Sequence, residues 1–410
     1  MVFERATSGL PGLDRILDGL RLGDNIVLQV DDVNDFAHFV RPFAKQAIAD
    51  QKRLIYFRFG QHAPIIQTME GLEVHAIDAS KGFESFSSEI RNLVTQAGEG
   101  AYYIFDCLSE LLSEWSNDLM IGNFFRVTCP YLFKLRTIAF FALIRERHSN
   151  QTVARIRDTT QLLLDVYHKD ESYYIHPLKV WKRYSPLMFL PHIMSGDEFL
   201  PLTNSADVAR LFAAYPQRGL GDVSRRLDYW DHIFLKAAEL AKETVANDPA
   251  ESEQRRTIME QLLHMVIGRD ENILALARRY FTLEDLLQIK SRLIGSGFIG
   301  GKAVGLLLAR AILSADPNSD WNAILEPHDS FYIGSDVYYT YLVENDCWEL
   351  RQKQKDPEHY FSTAAELRNC LLEGSFPEDI RDQIYAMLEY FGQSPIIVRS
   401  SSLLEDGFGN

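Results

Sequence analysis

The chain has 410 residues, 46% of them hydrophobic and 24% charged, and a formal net charge of −15. Those proportions describe a globular protein of two or three domains, each with enough apolar material for a core. The acidic balance excludes a general binder of nucleic acid or anionic membrane, which needs surplus lysine and arginine. No apolar run approaches membrane-spanning length, residues 137–144 being about the longest, and the N-terminal residues lack an apolar signal core. Cys107, Cys129, Cys347 and Cys370 lie far apart with no Cys-x-x-Cys pair. They fit neither a zinc site nor a disulfide framework, and the expected setting is a reducing cytoplasm.

Residues 1–192 alternate strand-like and helix-like stretches, the pattern of an α/β sheet domain. Residues 8–17 read as a turn and a short helix, 25–30 as a buried strand, and 36–49 as a helix by apolar spacing. Strands are expected at 54–59, at 101–105 ending on Asp106, and at 137–144, 161–167 and 173–180. The opening Thr7-Ser8-Gly9-Leu10-Pro11-Gly12-Leu13-Asp14, followed by Ile16 and Leu17, resembles RecA-type ATPases of the circadian-clock KaiC kind. In that family the first strand runs into a phosphate loop, Gly-x-x-x-x-Gly-Lys-Thr/Ser, whose amides and ammonium envelop phosphates.

The corresponding residues here, 31–38, hold no glycine and no lysine but three acids, Asp31, Asp32 and Asp35. Two like charges about 4 Å apart repel by roughly 4 kcal/mol at a surface-like dielectric, so the change opposes phosphate binding. The same acids suit the start of the following helix. The family's acidic pair after its next strand falls at Gly60 and Gln61. Asp106 matches either a magnesium-orienting acid or a structural strand tip. The expectation is a RecA-like scaffold whose catalysis is gone. His38, His75, His148, His168 and His176 show no ligand or triad spacing and read as structural or solvated. Lys179, Trp181, Lys182, Arg183 and Tyr184 form a small basic-aromatic cluster. It either faces a neighbouring subunit's nucleotide, as in RecA-type rings, or is an ordinary strand exit.

Residues 193–285 read as a helical connector, with oligomerisation as one role open to it, and with a loop-rich start marked by Pro191, Gly196, Pro201 and Pro216. Leu227, Trp230, Ile233, Phe234, Ala237, Leu240 and Ala241 recur at helical spacing, and 259–267 and 273–280 continue it. Residues 247–253 form a polar break. Thr282 to Asp285 reads as a capping start for a helix running to 293.

The last region, 286–410, carries the chemistry. Gly300, Gly301 and Lys302 stand at the mouth of an apolar helix, where backbone amides and the helix N-terminus favour an anion. About a hundred residues on, 396–398 read as a buried strand ending on Arg399, Ser400, Ser401 and Ser402, with Glu405 and Asp406 behind. The Arg399 guanidinium suits either a phosphate or one of those two carboxylates. Together and in this order, the two stretches resemble the opening part of the nucleotide module of pyruvate, phosphate dikinase and phosphoenolpyruvate synthase, an ATP-grasp-type fold. Residues 330–340 match that family's strand-into-helix step. Ala303 departs from it, since glycine is common there.

The resemblance covers roughly 293–410. With the RecA-type resemblance of residues 1–192 and the helical pattern of 193–285, the expected chain is α/β in three parts: a degenerate RecA-like domain, a helical connector and a partial ATP-grasp-type lobe. The resemblance of 293–410 further implies ATP and Mg2+ as cofactors, with Gly300, Gly301, Lys302, Arg399, Ser400, Ser401, Glu405 and Asp406 around the nucleotide. The family's module continues past residue 410, so the sequence reads as a fragment of a longer phosphotransferase. That parent would pass phosphate from ATP through a carrier histidine to pyruvate or a similar acceptor, and the fragment alone would not turn over. No catalytic residue and no protein metal site is expected within it. Side-by-side packing of RecA-type domains implies a homo-oligomer. The other reading is a regulatory or interaction module that senses nucleotide without catalysis.

Overall fold

The computed structural model describes residues 4–215, 227–242, 249–326 and 329–401. It divides into two compact units, residues 1–228 and 229–410. In the first, Arg5–Ala6 (β1) pairs with Leu20–Arg21 (β2) beside a nine-stranded sheet. The sheet comprises Asn25–Val30 (β3), Leu54–Arg58 (β4), Leu72–Ala76 (β5), Tyr102–Cys107 (β6), Ile138–Ile144 (β7), Leu162–Lys169 (β8), Ser172–Val180 (β9), His192–Ser195 (β10) and Glu198–Pro201 (β11). Its order is β11-β10-β9-β8-β3-β7-β6-β4-β5. The six strands from β8 to β5 run parallel, and β9, β10 and β11 extend that sheet antiparallel.

The sequence explains the centre of this sheet. β7 is wholly apolar, β3 is apolar apart from Asn25 and Gln29, and both are almost wholly buried, as strands covered on both faces must be. The helix Val33–Ala49 lays Phe36, Phe39, Val40, Phe43, Ala44 and Ala47 on the same core. The edge strand β5 is only partly buried, although its five residues alternate apolar and polar. The loop-rich start expected after 192 is instead a hairpin, β10 and β11, turned by Gly196 in a left-handed conformation (φ +60°). The boundary drawn at 192 therefore falls inside the sheet.

The second unit begins with helices Tyr229–Lys242, Pro249–Val266, Glu271–Tyr280 and Leu283–Ser291. Residues 249–253, expected as a break, belong to the second of these; 247 and 248 lie outside the described residues. The capping box at Thr282 is present, with Asp285 returning the bond, and its helix ends at Ser291. Trp230, Phe234, Leu262, Val266 and Leu286 share one core with Val304, Leu308 and Tyr332, so the line drawn at 285 also crosses a continuous core. Leu293–Ile294 (β12) then pairs in parallel with Tyr332–Ile333 (β13). Helices Gly301–Ser314 and Ser335–Glu344 follow these two strands, which gives residues 330–340 the strand-into-helix form.

Two expectations fail here. Residues 396–398 form no strand; Ile397 is 81% and Val398 83% exposed. β-Branched residues favour a strand only where a neighbouring strand offers a ladder and a surface to cover, and no described strand does so here. Cys347 and Cys370 form a disulfide, Cα atoms 6.0 Å apart. Helices Trp348–Gln354 and Tyr360–Glu373 fold back on one another and bring together cysteines that their spacing left unrelated. That bond removes the cysteine argument for a reducing compartment. No helix among the described residues is long and apolar enough to cross a membrane.

Candidate functional site

In the first unit, two arginines pair with acids that the sequence reading singled out, Arg145 with Asp31 and Arg58 with Asp106. Arg145, just past β7, donates from Nε to Asp31 at 2.9 Å and lies 3.2 Å from Asp165. Its guanidinium also stacks over the Tyr167 ring, 4.1 Å from the centroid. Gln29 and Tyr167 donate to the two oxygens of Asp165, at 2.7 and 3.0 Å. Asp32 caps the 33–49 helix by accepting from the Asn34 amide at 2.7 Å. Asp31 and Asp32 are thus bonded to the protein's own cation and its own helix.

Asp106 is fully buried. Its carboxylate accepts from Tyr56, from Arg58, and from the amides of Phe59 and Gly60 at 2.9 and 2.8 Å. Four donors on two oxygens make a closed structural knot. Burial, and then Asp106 itself, pushes the Tyr56 phenol up, so it stays a donor. Within the basic-aromatic cluster, Arg183 is buried against Asp24 at 2.7 Å and the Gly19 carbonyl at 2.7 Å, while Tyr184 is exposed. Lys182 lies over Trp181.

The histidines have packing partners that spacing could not reveal. His38 and His168 stack on opposite sides of the Tyr173 ring, and His168 reaches Asp35 at 3.2 Å. His148 pairs with the Ser109 hydroxyl at 2.7 Å, and burial pushes its imidazole down to about 3. A neutral imidazole on a buried serine is a packing contact here. From these pairings, residues 1–228 expressed alone should show no measurable ATP binding by calorimetry. Micromolar affinity would overturn that expectation.

The second unit brings its two distant stretches together. Gly300 caps the 301–314 helix with φ +82°, a left-handed conformation that a side chain rarely adopts. A Cβ there would also collide with the carbonyl and hydroxyl of Ser401. The contact is reinforced from the helix, because the Ala303 amide donates to Ser401 Oγ at 3.3 Å. Ser401 thus supplies, from a hundred residues away, the side-chain cap that Gly300 lacks. Ala303 itself packs against the helical core.

Lys302, Arg399 and Ser400, neighbours in sequence of the residues in this contact, are exposed. No described residue pairs with Arg399, whose chain position is two residues, at most about 7 Å, from Ser401. Glu405 and Asp406 lie outside the described residues, as does Ser402. Among the described residues, no group of histidine, cysteine, aspartate or glutamate could hold a metal ion.

One site feature escapes the sequence reading. The loop 295–300 is held by Asp336, at the start of the next helix, through both donors of Ser296. An acid in a helix's first turn is ordinarily read as complementing its own dipole, and only the fold shows that it reaches outward.

Residues 296–410 match the family model described as "Pyruvate phosphate dikinase, AMP/ATP-binding domain", which covers under a third of the chain. No curated protein matches the sequence. The matched segment is of the pyruvate phosphate dikinase AMP/ATP-binding type, and it begins at Ser296, on the loop just described.

Proposed function

We propose, starting from a C-terminal segment of the pyruvate phosphate dikinase AMP/ATP-binding type, that the chain binds ATP at the junction of Gly300 to Lys302 with Arg399 to Ser401. The observation that carries the reading is the meeting of Gly300 and Ala303 with Ser401 across a hundred residues. In this reading the 301–314 helix directs its N-terminal amides at a phosphate, and Lys302 and Arg399 supply two cations to the same tail. Ser400 and Ser401 shape the wall, with Glu405 and Asp406 following.

Phosphoryl transfer asks a protein mainly to position phosphates and neutralise their charge, and this constellation is of that kind. In a longer parent protein the γ- or β-phosphoryl group would pass to pyruvate or another acceptor. Mg2+ would supply further neutralisation when it arrives with the nucleotide; the described residues hold no ligand set for it.

The first unit serves in this proposal as a non-catalytic RecA-like scaffold. Support comes from its six parallel strands with the first long strand, β3, between β7 and β8, and from Arg145 and Arg58 pairing with Asp31 and Asp106. A photoreactive azido-ATP should label peptides within 296–401 and be displaced by unlabelled ATP. Displaceable label confined to 1–228 would reverse the assignment.

A further inference from the structure

The loop leading into the 301–314 helix is gripped by the start of the helix Ser335–Glu344. Ser296 donates its backbone N–H to Asp336 Oδ1 at 2.8 Å and its hydroxyl to Oδ2 at 2.7 Å. The Phe298 amide donates to Ser335 Oγ at 3.1 Å, and the Ser335 amide returns to the Phe298 carbonyl at 3.1 Å. Gly334 lets the two segments approach this closely, since a Cβ there would strike the Ser296 carbonyl. Asp336 is only 5% exposed. From the helix Glu378–Phe391, Gln383 accepts the Gly295 amide at 3.1 Å, and Asp379 is the charged group that bears on Asp336.

We propose that Asp336 is a positioning residue for the nucleotide loop, holding residues 295–300 on the path that delivers Gly300, Gly301 and Lys302 to a phosphate. The inference rests on the ATP reading above and adds a control point to it. A first-turn aspartate that only stabilised its own helix would turn its oxygens to that helix's amides. Here each oxygen takes a donor from the loop, in addition to the Val337 amide of its own helix. The grip needs two acceptors, which the carboxylate has and the protonated acid does not fully provide. Burial pushes the Asp336 carboxyl up to about 6, against the opposing pull of the Ser296 donors, with Asp379 adding to the rise. The grip is therefore complete above that pH and weakened below it.

The test is ATP titration of the full-length protein and its Asp336→Asn, Ser296→Ala and Lys302→Ala variants at pH 7.5 and pH 5, with a melting curve for each. The Asp336→Asn variant loses one acceptor at nearly constant shape, so affinity should fall about tenfold at pH 7.5, as for one charge-assisted bond. At pH 5, where the parent's carboxyl is itself protonated, the two should agree within about twofold. Ser296→Ala should weaken binding several-fold in the same sense, and it decides the matter if Asp336→Asn fails to fold. Variants that bind like the parent at pH 7.5, or a parent-to-variant ratio that is constant with pH, would overturn the positioning role. If Lys302→Ala weakens ATP while the other two change nothing, the nucleotide site stands and this inference alone falls. A parent that binds no ATP removes both.

Discussion

Asp106→Ala is expected to destabilise the first unit by about 3–5 kcal/mol, the cost of leaving a buried ion pair half-made. The substitution strands the Tyr56 hydroxyl, the Arg58 guanidinium and the amides of Phe59 and Gly60 in one place. Arg58 is only 20% exposed, so water cannot readily take the carboxylate's part. For a unit of this size the melting temperature should drop on the order of 10 °C, readable by calorimetry or circular dichroism. Asp106→Asn keeps an acceptor and the volume, and it should lose clearly less. A melting temperature unchanged in Asp106→Ala, with altered metal or nucleotide binding, would return Asp106 to the role of a ligand.

The central strands are legible in the sequence because they are long apolar runs bounded by turns, and β3, β4, β6, β7, β8 and β9 all occur close to where they are expected. Strands β5, β10 and β11 are not, being short or partly exposed and owing their strand form to a neighbour already in place. Nor are the helices Phe83–Ala97 and Leu119–Lys134, although both bury apolar faces. That residues 31–38 carry acids and neither glycine nor lysine is plain from residue types. What pairs with Asp31 and Asp106 is not, since Arg145 reaches its acid from just past β7 and Arg58 from β4. The disulfide and the exposed 396–398 segment depart from expectation for one reason. Spacing and propensity are local, whereas pairing of Cys347 with Cys370, and of a strand with its ladder, depends on the fold.

The proposed nucleotide site divides similarly. Gly300, Gly301 and Lys302 are legible as a helix mouth, whereas Arg399 to Ser401 are expected at the tip of a strand that the structure does not form. Their meeting through Ser401 rests on a left-handed glycine and a remote cap, which no local pattern encodes. Asp336 stays hidden because its sequence neighbourhood is that of any helix start.

Lys302→Ala and Arg399→Ala in the full-length protein are each expected to weaken ATP binding roughly ten- to a hundredfold, the equivalent of about 1.5–3 kcal/mol per charge-assisted contact. Both residues are exposed, and neither is part of a hydrophobic cluster, so the melting temperature without nucleotide should not fall. The two losses should also interact. If both cations hold one phosphate tail, the double variant should lose less or more than the sum of the singles, whereas independent sites add. In a longer parent that carries out phosphotransfer, that activity should disappear in either variant, because a misplaced phosphate cannot meet its acceptor. A conservative Arg399→Lys should recover only part of the affinity, since an ammonium lacks the planar fork that grips two phosphate oxygens. Full recovery would mean that Arg399 acts as a point charge. ATP affinity unchanged in both alanine variants would leave a glycine turn capped by Ser401 beside an exposed arginine, and the site would have to be sought elsewhere on the second unit.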